Sequence, residues 1–328
     1  MGFPVKVSVI ICTYNRAKTL GGAVESVAVQ SLPDSLAWEI VVVDNNSPDQ
    51  TRQVVEDLQR QYPERIRYVL ERKQGISHAR NAGIMAAEGE ILAFLDDDET
   101  AGPDWLQNLT ANLYTSEWAG SGGRVLPPTS SALPSWLSIK SSFANGPLTV
   151  FDLGLEPGPL NEPAFGANMA FRKEVFEKYG GFRTDLGRIG KSMISNEDTE
   201  FGRRVMAAGL RLRYEPSALT YHPVEESRLK KQYFLEWWYY KGRSDVRELG
   251  NLRGSMLILG IPLRLFRAFP WAIMRWIVSV EPSQRFGRKI EVWNCAGQIS
   301  ESYLRRNDAS QKGLEPKTEQ WPSEKGSE

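Results

Sequence analysis

The chain has 328 residues, balances 40 basic against 40 acidic side chains and contains two cysteines. This length can form one large α/β domain with an appendage, or two small domains. Balanced charge offers no bulk field for nucleic acid, and Cys12 and Cys295, one in a predicted strand and the other far away, form neither a disulfide framework nor a cysteine metal cluster.

The opening stretch MGFPVKVSVIICTYN leads directly into a strand without a signal-peptide cleavage pattern, and Lys6 stands where a myristoylation signal needs Ser or Thr. A reducing compartment is expected. Lys6 to Cys12 is a β-branched run followed by the polar turn Thr13, Tyr14, Asn15 and Arg16, then a helix over roughly 17–30. Glu39 to Val43 predicts a second buried strand ending at Asp44, Asn45, Asn46 and Ser47, with a helix from about Gln50 to Tyr62. Ile66 to Leu70 is a third strand. Gln74 and Gly75 then turn the chain into a helix capped by Ser77 and stopped by Gly89. This alternation predicts a parallel, doubly wound α/β sheet with polar residues collected on one edge. No GxGxxG follows the first strand, so a nucleotide would be held by Asp44 and the 13–16 turn. Capping of the following helix is an equal alternative for Asp44.

The stretch EILAFLDDDE, residues 90–99, organises the rest. Its apolar run stops against Asp96, Asp97, Asp98 and Glu99. Such like charges repel by about 1 kcal/mol per pair even in water, and a cation at the strand end would relieve them. Extended backbone alternates its side chains, so Asp96 and Asp98 are expected on one side and Asp97 on the other. Two carboxylates with open positions suit Mg²⁺ or Mn²⁺. A solvated acidic turn is the plainer alternative.

From Leu126 to Pro163 periodicity is lost, and about a third of the chain's 19 prolines gather there. Trp136 and Phe143 favour an ordered lid. Gly166 to Arg172 resumes as a strand, and a short helix follows over 173–179. Asn196 then caps a helix opening with Glu197 and Asp198, where the helix dipole holds both carboxylates ionised. His222 follows a strand over 212–221. A structural role is the simpler account of it, but facing Asp98 it would complete a mixed oxygen and nitrogen site that Mn²⁺ tolerates.

Placed in this order, SVIICTYNR, EIVVVDNNSPDQT, GISHARNAG, ILAFLDDDE, GANMAFRKEVFEKYGGF and the ED of SNEDTEFGRRVMAAG resemble the family 2 glycosyltransferases of GT-A fold, over about residues 5–225. The resemblance implies that Asp44 and Thr13, Tyr14, Asn15 and Arg16 hold the nucleotide of a sugar donor. It puts Gly75, Arg80 and Asn81 beside the diphosphate and sugar, Asp96 and Asp98 in a DxD motif flanked by Asp97, and Asp198 in the role of general base. Related subfamilies place a late histidine on the metal, and His222 stands at that point in the order.

Beyond Ser227 the composition changes. Tyr233 to Tyr240 is dense in aromatics, and Gly254 to Val280 is apolar but interrupted by arginines. It is too short of uncharged residues to span a bilayer. Arg253, Arg264, Arg267 and Arg275 project into one sector of roughly 80°, as in a helix lying on an anionic membrane. A helix packed on the catalytic domain or on a subunit is the alternative.

The expected organisation is therefore a GT-A catalytic domain over 1–225 with a lid at 126–163, a helical amphipathic appendage over 226–304, and a disordered tail over 305–328. The expected function is inverting, Mn²⁺- or Mg²⁺-dependent transfer from a UDP-sugar to a polysaccharide or lipid-linked acceptor, peripheral on the cytoplasmic face of a membrane. A sugar-phosphate nucleotidyltransferase and a non-catalytic nucleotide-sugar binding module are the alternatives. The former is expected to carry a glycine-rich loop that TYNR lacks.

Overall fold

The computed structural model describes residues 5–30, 32, 37–115, 117–128, 133–138, 141–250 and 256–306. The first half alternates as β1 (Val5–Thr13), α1 (Ala17–Ala28), β2 (Ala37–Asp44), α2 (Thr51–Gln61), β3 (Ile66–Leu70), α3 (Ile76–Ala86) and β4 (Ile91–Asp96). There follow β5 (Thr100–Ala101), α4 (Trp105–Thr110), β6 (Gly120–Leu126), α5 (Asn145–Leu148), β7 (Gly158–Pro159), β8 (Asn168–Arg172), α6 (Lys173–Tyr179), α7 (Glu197–Ala207) and β9 (Leu212–Tyr221). The C-terminal part consists of α8 (Lys231–Leu249), the hairpin β10 (Leu257–Ile258) and β11 (Ile261–Pro262), α9 (Leu263–Val278) and α10 (Pro282–Leu304).

The main sheet runs β3-β2-β1-β4-β8-β6-β9-β5, with β7 also paired to β9. The first four strands are parallel, as alternation with helices requires. β8 lies antiparallel to both β4 and β6, so the sheet is mixed beyond β4. Side chains of β1 divide by parity. Val7, Val9 and Ile11 pack with Leu20, Val24 and Val55 from α1 and α2, while Ile10 and Cys12 pack with Ala79 and Ile84 of α3. Both faces of the sheet are therefore covered, which explains why its strands are apolar throughout. The register pairs Thr13 with Asp44 and Cys12 with Asp96, which brings three strand ends and their polar turns to one edge.

Two expected helix caps are corrected, and the capping alternative for Asp44 is not realised. Ser77 does not cap α3; its hydroxyl donates to the Leu186 carbonyl at 2.7 Å, and Gly75 stands at the cap position. Asn196 stands at the start of α7 without capping it, because its amide donates to Asp245 and Glu248 on α8 at 2.9 and 2.6 Å. Asp44 caps nothing in α2; Asp49 instead accepts from the Thr51 N–H at 3.0 Å.

The 126–163 segment contributes Leu137, Ala144, Leu148 and Val150 to a third core with Phe234, Leu235, Phe286 and Ile290 of α8 and α10. Trp136 meets Phe234 and Phe286 edge-on at 5.2 and 5.1 Å. α8 and α10 cross closely because Gly242 and Gly297 remove the side chains at the contact. A Cβ at Gly297 would lie 1.9 Å from the Tyr239 carbonyl oxygen, and one at Gly242 would lie 2.1 Å from that of Asn294.

α9 is continuous through Pro270. Its exposed side carries Phe266, Pro270, Trp271, Met274, Ile277 and Val278, with Arg267 among them. The basic residues run beside it: Arg264 is also exposed and Arg275 is half-buried. Arg264 lies 3.4 Å from Gln298 and Arg275 lies 3.2 Å from Glu291, both on α10. Arg253 and the tail beyond residue 306 lie outside the described residues. No described helix is long and apolar enough to cross a membrane.

The helix crossing gives a paired prediction. Gly297→Ala must push α8 from α10 and should cost about 1–3 kcal/mol in urea unfolding. Gly21→Ala, in a helix with nothing within 4 Å of the added carbon, should gain about 0.5–1 kcal/mol. Equal stability of the two variants would contradict this packing.

Candidate active site

A cavity of about 550 Å³ opens at the carboxyl ends of β1 and β4. Thr13, Tyr14 and Arg16 form one wall, Gly75 and Arg80 another, and Asp96, Asp97 and Asp98 the floor. Asp198 and His222 complete it from α7 and the end of β9. Residues separated by more than a hundred positions thus meet because α7 is fixed by an aromatic stack. Phe176 lies parallel to Phe201 of α7 at 4.4 Å, and Phe182 meets Phe201 at 5.1 Å.

Three expected residues stand outside the cavity wall. The amide of Asn81 donates to the Phe182 carbonyl at 2.9 Å and accepts from its N–H at 2.8 Å. Asp44 is buried and accepts from the Ser47 N–H and the Tyr68 hydroxyl, both at 2.8 Å. Asn15 donates its backbone N–H to the Ser47 hydroxyl at 2.9 Å, tying the two loops together. Asn45, beside Asp44, does line the cavity and accepts from the Gly75 N–H at 2.7 Å.

The strand ends at Asp96, and Asp97 and Asp98 form a turn closed by the Glu99 N–H on the Asp96 carbonyl at 3.2 Å. Strict alternation therefore does not aim Asp98; the turn does. Its carboxylate lies 3.6 Å from Arg16, 3.6 Å from His222 Nε2 and 3.7 Å from Arg228. Asp96 lies 3.5 Å from Arg80. Unit charges 4 Å apart interact by about 4 kcal/mol at the effective dielectric near a protein surface, so these arginines hold the cluster together. The compensation is incomplete. Loss of solvent, then the neighbouring Asp98, pushes Asp97 up to about 7. Burial raises Asp96 against the pull of Arg80, and raises Glu99 well above its ordinary value. Burial also lifts the Cys12 thiol to about 12, leaving it inert under the floor.

Arginine only donates. With Arg228 Nη1 at 3.2 Å, His222 Nε2 is therefore the nitrogen carrying the lone pair. Burial depresses the His222 pKa against the pull of Asp98, which favours the neutral, ligating imidazole.

Asp198 accepts from the Gly166 N–H at 2.6 Å and the Thr199 N–H at 2.7 Å. A Cβ at Gly166 would lie 2.5 Å from the Arg80 guanidinium and would have to displace it. Glu197 is paired to Arg80 at 2.7 Å, yet burial and the adjacent Asp198 push it up to about 7. The expectation that both acids are held ionised is corrected for Glu197, where burial outweighs the helix dipole.

Sequence reasoning missed Arg188, Arg228, Trp237, Trp238 and Lys241, all of which line the cavity. The aromatic density of 233–240 was the available signal for the tryptophans. α8 is also joined to the residues before α7 through Ser195 N–H on Ser244 at 2.9 Å, and to α7 itself through Arg203 on Glu248 at 2.7 Å.

The largely parallel sheet, with an acidic cluster at the end of a central strand beneath the cavity, has the fold of the GT-A glycosyltransferases. The structure superposes on the mannosyltransferase PcManGT of Pyrobaculum calidifontis, solved with GDP-Man and Mn²⁺, with a TM-score of 0.61 at 20% identity over 92% of this chain and 90% of that one. It also matches GalNAc-T7, solved with UDP, GalNAc and Mn²⁺, with a TM-score of 0.53 at 19% identity over 76% of this chain and 52% of that one. The chain belongs to glycosyl transferase family 2, whose model matches residues 8–180. Succinoglycan biosynthesis protein ExoM of Rhizobium meliloti is 29% identical over 243 residues, 74% of either chain. The glucosyl-dolichyl phosphate glucuronosyltransferase of Haloferax volcanii is 28% identical over 252 residues, 73% of this chain and 76% of its own. The protein is thus a glycosyltransferase of glycan biosynthesis, and the nucleotidyltransferase and binding-module alternatives fall away.

The donors present fit a divalent cation as a partial set. Asp98 oxygen faces the lone pair of His222 Nε2, with Asp96 nearby. Among the described residues no three His, Cys, Asp or Glu side chains converge into a complete cage.

The raised carboxyls give this site a proton signature. A cation favours the ionised form of Asp96 and Asp97, so binding below about pH 7 must release protons. Mn²⁺ affinity should rise with pH towards about 7 and then level off. Titration calorimetry at pH 6.5 in buffers of different ionisation enthalpy checks this; binding without proton release would contradict it.

Proposed function

We propose that this enzyme transfers a sugar with inversion from a UDP-sugar to a hydroxyl of a lipid-linked or polysaccharide acceptor, with Mn²⁺ or Mg²⁺, at an anionic membrane surface on the cytoplasmic side. The observation that carries the reading is one cavity walled by both the acidic end of β4 and the Asp198 carboxylate. Two relatives support the acceptor class. One is the Haloferax enzyme; the other is the GalNAc(5)-diNAcBac-PP-undecaprenol beta-1,3-glucosyltransferase of Campylobacter jejuni, 43% identical over 96 residues, 29% of this chain and 30% of its own. A likeness to S. aureus TarS, solved with UDP-GlcNAc, is compatible with a uridine donor, with a TM-score of 0.50 at 18% identity over 92% of either chain.

In this reading the catalytic unit spans about 1–225 with the lid at 126–163. The helices over 226–304 buttress α7 and carry the membrane face. The Thr13 to Arg16 turn, backed by Asp44, holds the nucleotide. Asp98, Asp96 and His222 Nε2 supply the metal ligands, and Asp97 flanks them. A bound Mn²⁺ or Mg²⁺ supplies Lewis-acid neutralisation of the charge growing on the leaving diphosphate. Arg228 and Arg16, released from Asp98, turn to the diphosphate oxygens. Gly75 and Arg80 border the donor sugar, and Asn81 braces that wall from behind through Phe182. Asp198 takes the proton of the acceptor hydroxyl as its oxygen attacks the anomeric carbon from the face opposite the diphosphate. A single displacement inverts the configuration.

Asp198→Asn should lower transfer by about 10²–10⁴-fold while UDP still stabilises the variant in thermal shift with Mn²⁺. Unchanged turnover would remove Asp198 from the base role. EDTA should abolish transfer and Mn²⁺ restore it. The wild-type chain should float with phosphatidylglycerol vesicles, and Trp271→Glu with Ile277→Glu should remain at the bottom of the gradient. Equal flotation would contradict α9 as the membrane face.

A further inference from the structure

Beside the catalytic cavity lies a second one of about 890 Å³, for which the reaction described above has no use. Its volume falls within the roughly 300–1,000 Å³ typical of ligand sites. Trp136 and Phe143 from the lid, Trp271 and Ala272 from α9, and Ile290 from α10 form its apolar walls. Edge-on contacts of Trp136 and Phe143 with Phe286, at 5.1 and 5.9 Å, stiffen one end.

Three features identify an occupant. First, the groove adjoins the active site, since Ser142 and Trp238 line both cavities. Second, it is continuous with the apolar outer face of α9. Trp271 lines the groove yet is 58% exposed, and Ile277 and Val278 beyond it are 65% and 66% exposed. Third, it is cationic at one side. Arg275 and Arg288 both line it and share one carboxylate, Glu291, at 3.2 and 2.6 Å. Residues 263–292 carry six basic side chains against two acidic ones. An apolar channel leading from a membrane-facing helix, past two arginines, to a sugar-transfer site matches an amphiphile with a hydrocarbon chain and a phosphate head.

We propose that the groove between the lid, α9 and α10 binds the hydrocarbon chain and first phosphate of a lipid-phosphate acceptor, presenting the acceptor's hydroxyl to the catalytic cavity past Trp238. The chain lies against Trp136, Phe143, Trp271 and Ile290, and the phosphate pairs with Arg275 and Arg288. This assignment rests on the transferase reading above and adds to it the path by which the acceptor enters.

The test uses the full chain and farnesyl phosphate, followed by tryptophan fluorescence below its micelle concentration. Farnesol, inorganic phosphate and maltotriose are the comparison probes. Gly287→Leu fills the groove without disturbing the helix, because a Cβ there meets the Phe143 ring at an ordinary 3.8 Å and leucine is the better helix former. Farnesyl phosphate should bind at least about tenfold more tightly than farnesol or phosphate. It should weaken by about tenfold or more in Gly287→Leu, and again in Arg275→Gln with Arg288→Gln. UDP binding with Mn²⁺ should be unchanged in all three proteins. Farnesyl phosphate binding no better than phosphate, or equally well to Gly287→Leu, would overturn the proposal. So would maltotriose binding that Gly287→Leu abolishes while farnesyl phosphate binding is unaffected, since that assigns the groove to a soluble glycan. Absence of UDP binding by the wild-type protein would count against the uridine donor of the proposed function, while the farnesyl phosphate arm would still decide the groove.

Discussion

The carboxylates that close β4 repel one another in a half-buried cavity, and the architecture around them follows from how that repulsion is met. Arg16 comes from the first loop, Arg80 from α3, and Arg228 from a 3₁₀ turn after β9. Each arrives on a different element, so the cluster draws together parts of the chain that share no local sequence relation. Burial, together with repulsion that the arginines do not fully offset, leaves Asp97 near 7 and Asp96 raised. A site in that state is poised for a cation, because binding gains both the Coulomb attraction and the relief of repulsion.

The other side of the cavity is built by packing rather than charge. Phe171, Phe176, Phe182 and Phe201 form a continuous ring contact that seats α7 on the sheet. Backbone N–H groups of Gly166 and Thr199 then fix the Asp198 carboxylate. α8 supports the same helix through Asn196, Glu248 and Arg203, and at once lends Trp237, Trp238 and Lys241 to the cavity wall. α8 is therefore part of the site as well as a support for α7.

Much of this was legible in the residues. Short β-branched runs ending in polar turns located β1, β2 and β4, since only strands buried on both faces are apolar at every position. The acidic strand end and the Glu197–Asp198 pair stood out as charge placed where a core should be. What escaped had a common cause. A strand's composition does not encode its direction, so the reversal of β8 was invisible. Asp98 is aimed by a turn that breaks the alternation invoked for it. Asn196, a favourable cap by type, gives its amide to α8 instead, a tertiary preference that no local rule contains. Arg228 looks like an ordinary surface cation until the fold buries it, and Arg188, which stays exposed, reaches the cavity only through the fold.

The cation and the diphosphate are the parts of this account on which the others converge, and anomalous diffraction locates the metal directly. Crystals grown with UDP and Mn²⁺ should show the manganese peak between Asp98 and His222 Nε2, bonded to the diphosphate, with Arg228 moved from Asp98 to a phosphate oxygen. A manganese peak elsewhere, with Asp98 still held between Arg16 and Arg228, would contradict it.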